Sequence, residues 1–263
     1  MDLGLSGKVA LVAASSRGLG RAVAEELAAE GAHVVLCARG EAALRETASE
    51  IRRTARGRVI DVVADVSEPA DLARVIDEAM KEFGHVDVLV TNSGGPPSGP
   101  FESHSVQAWR DAMRNTLESV LELTRAVLPG MKERKWGRIV NITSIAVKQP
   151  VDNLILSNSL RAAVTGFART LANEVAPFGI TVNNVLPGYT RTQRVEELAA
   201  QTATARGIDA DEAVSVWTRQ IPAGRLGEPR EFAALVAFLA SERASYITGT
   251  STTVDGGWTR GLL

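Results

Sequence analysis

The sequence predicts a single-domain α/β fold: a doubly wound parallel sheet of about seven strands with helices on both faces. Short valine-rich runs alternate with longer segments of helical periodicity along the whole chain. The run 8–14 is apolar on both faces, which is typical of a strand buried between two layers of helices. Strands that alternate with helices are joined by right-handed crossovers, and such crossovers give a parallel sheet that is covered on both sides.

The predicted elements follow one another in a regular order. Gly31 ends the first helix, Pro69 begins the third, and one long helix is expected to cross Asn115. The polar, alanine-rich stretch 190–220 is predicted as a lid over the site. The predicted strands cover residues 8–14, 32–38, 59–64, 86–90, 137–142, 179–185 and 250–254, and the predicted helices cover 20–31, 41–56, 69–83, 106–132, 157–175 and 229–241.

Composition limits the kinds of partner. The 263 residues are 45% hydrophobic, which suffices for one large core, and the net charge of −2 with no basic block argues against nucleic acid. No apolar run approaches the roughly 18 residues of a membrane helix, and the first residues lack a signal-peptide pattern. The single cysteine, Cys37, allows no intrachain disulfide, and three scattered histidines predict no metal site. We therefore expect a cytoplasmic protein that acts on a small molecule.

A glycine-bearing turn joins the first strand to the first helix. Gly18 and Gly20 let the backbone approach a pyrophosphate, and the positive end of the helix dipole favours an anion there. Two glycines in seven residues also fit an ordinary strand-to-helix turn, so the position directly after the first strand carries the interpretation. The predicted cofactor contacts of this turn are Ser15, Ser16, Arg17, Gly18, Leu19 and Gly20.

The end of the second strand indicates which dinucleotide is bound. Proteins that bind NAD carry an acidic residue there, which hydrogen-bonds the ribose 2′-hydroxyl, whereas this chain has Ala38 followed by Arg39. Arg39 and Arg17 can converge on a 2′-phosphate, which guanidinium groups bind well. Two solvated surface arginines are the alternative. The residues favour NADP.

These motifs, in this order, resemble the short-chain dehydrogenase/reductase family over about residues 5–258, and within it the 3-oxoacyl-[acyl-carrier-protein] reductases. In the family pattern a glycine precedes the turn where Ala14 stands, so we expect a negative φ at Ala14 and a slightly altered turn. The resemblance implies that Asp65 contacts the adenine. The other cofactor contacts that it implies are Val66, Asn92, Ser93, Gly94, Pro187, Gly188, Thr190 and Thr192.

The resemblance also implies four catalytic positions. Asn115 matches the family's asparagine and Ser144 its serine. The family's tyrosine comes thirteen residues after that serine and its lysine four residues later, and here those positions hold Ser157 and Arg161. A serine hydroxyl is a poorer acid than a phenol, and arginine cannot give up its proton. Cofactor binding is thus expected, with a non-standard catalytic site.

Three further residues can reach the predicted site. Tyr189 follows Pro187-Gly188 and is the candidate substitute for the missing tyrosine, while Lys148 and Asp152 lie in the loop between Ser144 and Ser157. Lys148 and Asp152 can equally be solvated loop charges.

The sequence predicts an NADP-dependent oxidoreductase that acts on a carbonyl or alcohol. One alternative is a nucleotide-binding sensor or scaffold that has lost the chemistry, and another is a reductase of imines or activated alkenes. The family resemblance implies a homotetramer. The apolar residues expected on the outward helix faces of each subunit are Leu121, Leu123, Val127, Phe167 and Leu171. The alternative is that these are core residues.

Overall fold

The computed structural model describes residues 2–262, without the side chain of Ala205, and contains a seven-stranded parallel sheet. The strand order is β3-β2-β1-β4-β5-β6-β7, and this confirms the predicted fold class. The order reverses direction between β1 and β4, which is where doubly wound folds place their ligands, beyond the carboxyl ends of the strands. The strands are β1 (Val9–Ala13), β2 (His33–Ala38), β3 (Val59–Val63), β4 (Val88–Thr91), β5 (Gly137–Ile142), β6 (Ile180–Pro187) and β7 (Ser251–Val254).

Helices cover both faces of the sheet, and two apolar cores lie between them. One core joins the sheet to α1, α2 and α9, and the other joins it to α3, α5 and α6. β1, β4 and β5 contribute side chains to both cores, which is why these strands are apolar on both faces. The helices are α1 (Gly18–Ala29), α2 (Glu41–Thr54), α3 (Pro69–Phe83), α4 (Val106–Met113), α5 (Ser119–Arg134), α6 (Ile155–Val175), α7 (Gln193–Arg206), α8 (Ala210–Thr218) and α9 (Pro229–Ala240).

The predicted long helix through Asn115 is interrupted. A π-helical segment, Arg114–Glu118, separates α4 from α5, so the expected continuous helix over 106–132 is wrong at its centre. Wider π turns inside helices leave backbone carbonyls without their usual partner, and the Ser119 hydroxyl donates to the Asn115 carbonyl oxygen at 2.8 Å. Asn115 therefore lies in a π-helical turn rather than in a regular α-helix.

The stretch 190–220 contains two helices that the sequence did not reveal. α7 and α8 carry a small apolar cluster formed by Ala199, Ala203 and Ala213, with Ile208 and Trp217 packed against it. The apolar face of these helices consists mainly of small alanine side chains, which pack where the two helices approach closely. Such a face gives no strong amphipathic pattern in the sequence.

Three of the five residues expected on outward helix faces are core residues. Leu123, Val127 and Leu171 are buried in the core of α3, α5 and α6, whereas Leu121 and Phe167 are half-buried. The three buried residues are therefore not available for a subunit contact, and their expected position on an outward face is wrong. Within the described range, no helix is long and apolar enough to cross a membrane.

Candidate active site

The turn after β1 has a left-handed residue at the position where the family pattern has its first glycine. Ala14 has φ of +50°, in the left-handed region, so the expected negative φ is wrong. The reason is the next part of the turn: the Asn92 side chain donates to the Ala14 carbonyl oxygen at 3.3 Å, and a Cβ on Gly20 would lie 2.3 Å from that same oxygen. The Asn92 hydrogen bond holds the Ala14 carbonyl, the missing Cβ of Gly20 leaves room for it, and the alanine backbone adopts the strained conformation.

The amino terminus of α1 is free to receive an anion. Arg17 at the N-cap position makes no side-chain cap, so the N–H groups of Gly18, Leu19 and Gly20 point outward without a partner in the helix. Such N–H groups together with the helix dipole form the usual phosphate site at a strand-to-helix turn. The described residues therefore fit the pyrophosphate of a dinucleotide.

Some residues predicted to bind the cofactor face inward. Ser15 is fully buried; its hydroxyl accepts from the Cys37 N–H at 3.1 Å, and its own N–H donates to the Cys37 carbonyl. It therefore ties β1 to β2 and has no free backbone donor. The Val66 side chain belongs to the core, and Leu19 packs on the other core. Ser16 is half-buried, and its carbonyl oxygen accepts from the Thr47 hydroxyl at 2.8 Å.

Two arginines stand at the exposed rim of this turn. Arg39 follows β2 with 73% of its side chain exposed, and its Nη1 lies 3.6 Å from Oδ2 of Asp65. Asp65 also accepts hydrogen bonds from the N–H and hydroxyl of Ser67. Arg17 is exposed and contacts the side-chain oxygen of Gln193. Because an exposed ion pair stabilises by at most about 1 kcal/mol, Arg39 can exchange Asp65 for a stronger anion at little cost.

The loop after β4 is joined to the π-helical segment. Asn115 Nδ2 donates to the Gly94 carbonyl oxygen at 2.8 Å, and Asn92 and Ser93 are half-buried beside the turn of Ala14. Asn115, Asn92 and Gly94 are therefore brought together as the sequence predicted.

A row of buried hydrogen bonds holds the strand ends beneath this loop. The Thr91 hydroxyl donates to Asn141 at 2.7 Å, Asn141 donates to Asn184 at 3.1 Å, and Asn184 donates to Ser251 at 3.1 Å. These four residues are paired across β4, β5, β6 and β7. A fully connected buried network of this kind fixes a unique arrangement, so it aligns the strands that carry Asn92 and Ser144.

Ser144 lies directly beyond β5, at the start of a 3₁₀ turn. Its hydroxyl oxygen accepts from the Ala146 N–H at 3.1 Å and the side chain is half-buried. This contact uses a lone pair and fixes the oxygen, while the hydroxyl proton remains available to another acceptor.

Arg161 is anchored beside Ser144. Its Nη1 donates to the carbonyl oxygens of Ile142 and Thr143, at 2.9 and 2.8 Å, so α6 is tied to the end of β5. Burial, and next the positive charge of Arg194, lower the pKa of Arg161 to about 10. The group remains charged at neutral pH. Ser157, one turn earlier on α6, is 9% exposed.

The segment after β6 folds back over the phosphate turn. A Cβ on Gly18 would lie 3.6 Å from Thr192, and a Cβ on Gly188 would lie 2.6 Å from the Asp255 side chain. Thr190 is buried and its hydroxyl donates to the Gly188 carbonyl at 3.3 Å. Pro187 ends β6 and is half-buried. The predicted Pro-Gly-Thr segment therefore lies next to the predicted phosphate turn.

Tyr189 belongs to an aromatic cluster rather than to a proton-donor position. Its ring stacks on Trp217 at 4.6 Å and meets Trp258 edge-on at 6.0 Å. Burial raises its pKa, so Tyr189 is a weaker acid than an exposed tyrosine; the charge of Arg206 opposes this shift and the charge of Asp152 adds to it. Asp152 and Lys148 are both exposed.

Sequence reasoning missed Arg194, Gln193 and Trp217. Arg194 Nη2 donates to the Pro96 carbonyl oxygen at 2.9 Å, so a residue of α7 reaches across to the loop after β4. An arginine in a polar helical stretch carries no local signal of such a contact. Among residues 2–262 there is no group of three metal-ligating side chains.

Comparison with known proteins agrees with this geometry. Residues 13–259 match the family model described as enoyl-(acyl carrier protein) reductase. The chain is 37% identical over 255 residues to the 3-oxoacyl-[acyl-carrier-protein] reductase FabG of Vibrio cholerae serotype O1, covering 97% of this chain and 98% of the relative.

Two solved structures are similar over nearly their whole length. L-sorbose reductase from Gluconobacter frateurii, complexed with NADPH and L-sorbose, has a TM-score of 0.94 and 35% identity, and the match covers 100% of both chains. A variant of actinorhodin polyketide ketoreductase with NADPH has a TM-score of 0.92 and 33% identity, covering 97% of this chain and 98% of that chain. The chain therefore belongs to the short-chain dehydrogenase/reductase family of oxidoreductases.

Proposed function

We propose that the protein is an NADP-dependent reductase of a carbonyl compound, of the 3-oxoacyl class, that works without the family's tyrosine and lysine. The observation that carries the proposal is the anchoring of Arg161 on the carbonyls of Ile142 and Thr143, which keeps a positive charge beside Ser144. The relatives that bind NADPH and reduce ketoacyl or sugar substrates support the same assignment.

The proposed cofactor site uses residues from five loops, which follow β1, β2, β3, β4 and β6. The free N–H groups at the start of α1 receive the pyrophosphate, and Arg17 and Arg39 receive the 2′-phosphate. Ala38 adds no carboxylate that would repel it. Asp65 and the backbone at Val66 receive the adenine. Asn92, Ser93 and Gly94, with Pro187, Gly188, Thr190 and Thr192, surround the nicotinamide half. Bound NADPH would supply the hydride.

The proposed chemistry then rests on Ser144. Its oxygen accepts from the Ala146 N–H, which leaves the hydroxyl proton free to pass to the substrate carbonyl oxygen as negative charge develops there. The product alcohol keeps that proton, and a second proton from solvent restores the Ser144 hydroxyl. Arg161 stabilises the negative charge that develops on that oxygen and holds the ribose. Ser157 acts as a weak or indirect proton donor. Asn115 orients the loop at Gly94.

A nucleotide-binding sensor or scaffold is the second candidate. Ser157 provides no acidic phenol, and Tyr189 is engaged with Trp217 and Trp258, so the intact fold is compatible with cofactor binding alone. Reduction of an imine or activated alkene is a third candidate, because such reactions place different demands on the proton donor.

Two matched variants test the proposal, with NADPH oxidation measured on a panel of 3-oxoacyl thioesters and ketones. Ser144→Ala is expected to lower turnover by about 100- to 1,000-fold, the usual cost of losing one donor to the developing oxyanion. Ser157→Ala is expected to lower it by less than about tenfold, and both variants keep their NADPH affinity. Tight NADPH binding with no turnover on the whole panel would instead support the sensor, and loss of turnover in Ser157→Ala alone would overturn the role given to Ser144.

A further inference from the structure

The first turn of α7 lies against the phosphate turn. Thr192, the N-cap residue of α7, accepts from the Val195 N–H at 3.4 Å, and its methyl carbon lies 3.6 Å from where a Cβ on Gly18 would stand. The next residue, Gln193, accepts a hydrogen bond through Oε1 from Nη1 of Arg17. These direct contacts join the start of α7 to the start of α1, where the proposed site holds the phosphates of the cofactor.

The two arginines assigned to the 2′-phosphate have partners of different charge. Arg39 faces the carboxylate of Asp65, which must give way before a phosphate takes its place. Arg17 has the neutral amide of Gln193 as its partner, so its positive charge is not neutralised. Among the side-chain hydrogen bonds and ion pairs within residues 2–262, the guanidinium of Arg17 makes this one alone.

A guanidinium that is held in place without being neutralised is well prepared to bind an anion. Arg17 and Gln193 are both exposed, and an exposed arginine loses the freedom of several rotatable bonds when it binds a ligand. The bond to Gln193 restricts that freedom already in the free protein. Because this bond uses Nη1, the edge formed by Nε and Nη2 can still give two parallel hydrogen bonds to one phosphate.

We propose that Gln193 is a positioning residue for the cofactor: it holds Arg17 in place for the 2′-phosphate of NADP, so that α7 takes part in the choice between NADP and NAD. The inference rests on the NADP dependence of the proposed function and adds a residue of α7 to that site. Because coupling between two contacts is reciprocal, the 2′-phosphate in turn stabilises the first turn of α7.

The test is a double-mutant cycle on the full chain. Its variants are Gln193→Met, which replaces the amide with an apolar side chain of similar length, Arg17→Met, and the two together. The matched control is Gln201→Met, because Gln201 is a second exposed glutamine of α7 and its Oε1 accepts from the Ser98 hydroxyl at 2.8 Å. Calorimetry gives the Kd of NADP+, NAD+, adenosine 2′,5′-bisphosphate and AMP for each variant.

Gln193→Met is expected to raise the Kd of NADP+ and of the bisphosphate about two- to tenfold, the usual contribution of one hydrogen bond, and to leave those of NAD+ and AMP within about twofold. In the Arg17→Met background the same substitution changes the Kd of NADP+ by less than about twofold, because Gln193 acts through Arg17. Gln201→Met leaves the ratio of the Kd values for NADP+ and NAD+ unchanged. Hydrogen exchange of the α7 amides is slower with NADP+ than with NAD+ in the unmutated protein, and equal with both in Gln193→Met.

A preference for NADP+ that Gln193→Met leaves intact overturns the inference while the proposed cofactor stands. Equal losses for NADP+ and NAD+ also overturn it, because they place Arg17 at the pyrophosphate that both cofactors share. Equal Kd values of the unmutated protein for NADP+ and NAD+ contradict the proposed NADP dependence, and the role of Gln193 falls with it.

Discussion

Replacing Ala14 by glycine is expected to stabilise the protein. An L-residue in the left-handed region costs about 1–2 kcal/mol, and Ala14 has φ of +50° there. Glycine removes that strain but loses more backbone entropy on folding, roughly 0.5–1 kcal/mol. The net expectation for Ala14→Gly is an increase of about 0.5–1 kcal/mol in the free energy of unfolding. For a chain of this size it corresponds to a rise in Tm of about 1–4 °C.

Equilibrium urea unfolding measures this difference, with two other glycine substitutions as controls. Lys135→Gly is expected to stabilise in the same way, because Lys135 has φ of +53° at the end of α5. Ala13→Gly is expected to destabilise by about 1–2 kcal/mol, because Ala13 is a fully buried strand residue that loses a methyl contact and gains backbone freedom. If Ala14→Gly destabilised as Ala13→Gly does, the left-handed conformation at Ala14 would be refuted.

Three further predictions follow from the site and the surface. Arg39→Ala should weaken NADPH binding by about 1.5–3 kcal/mol and leave NADH binding nearly unchanged, and equal affinities of the unmutated protein for both cofactors would contradict the NADP assignment. Burial raises the pKa of Tyr189, so the stability that its neutral form contributes is complete below the unfolded pKa of about 10 and is lost as pH rises through the folded pKa. Tyr189→Phe should therefore flatten the decline of the free energy of unfolding at alkaline pH. An unchanged slope in this variant would contradict the raised pKa of Tyr189. Light scattering is expected to give four times the 27.9 kDa chain mass, with exposed Phe101, Val106 and Met113 available for subunit contact, and a monomer at micromolar concentration would refute the homotetramer.

Periodicity predicted the fold well because burial imposes it on every element. The predicted helix 69–83 agrees with α3, since Pro69 begins it and Gly84, with φ of +79°, ends it. The strand 137–142 agrees with β5, where all six residues are buried. The motifs at Gly18, Asn92 and Ser144 follow from the same order, because the carboxyl ends of parallel strands share one edge.

The errors come from contacts between distant residues and from one local irregularity of a helix. The conformation of Ala14 depends on Asn92 and Gly20, and the π-helical segment at Asn115 is a local departure that helical periodicity does not show. Arg194 contacts Pro96, almost a hundred residues away in sequence. Leu123 is apolar whether it faces a core or a partner, so its pattern alone could not distinguish the two.

Transfer of deuterium from NADPH tests the central claim most directly. The protein is incubated with NADPH deuterated at C4 of the nicotinamide and with each oxo compound of the panel, and the alcohol is examined by mass spectrometry and NMR. The account predicts one deuterium on the former carbonyl carbon, with the rate strongly reduced by Ser144→Ala and much less by Ser157→Ala. Tight NADPH binding with no deuterium in any product, or deuterium on a carbon other than the carbonyl carbon, would contradict it.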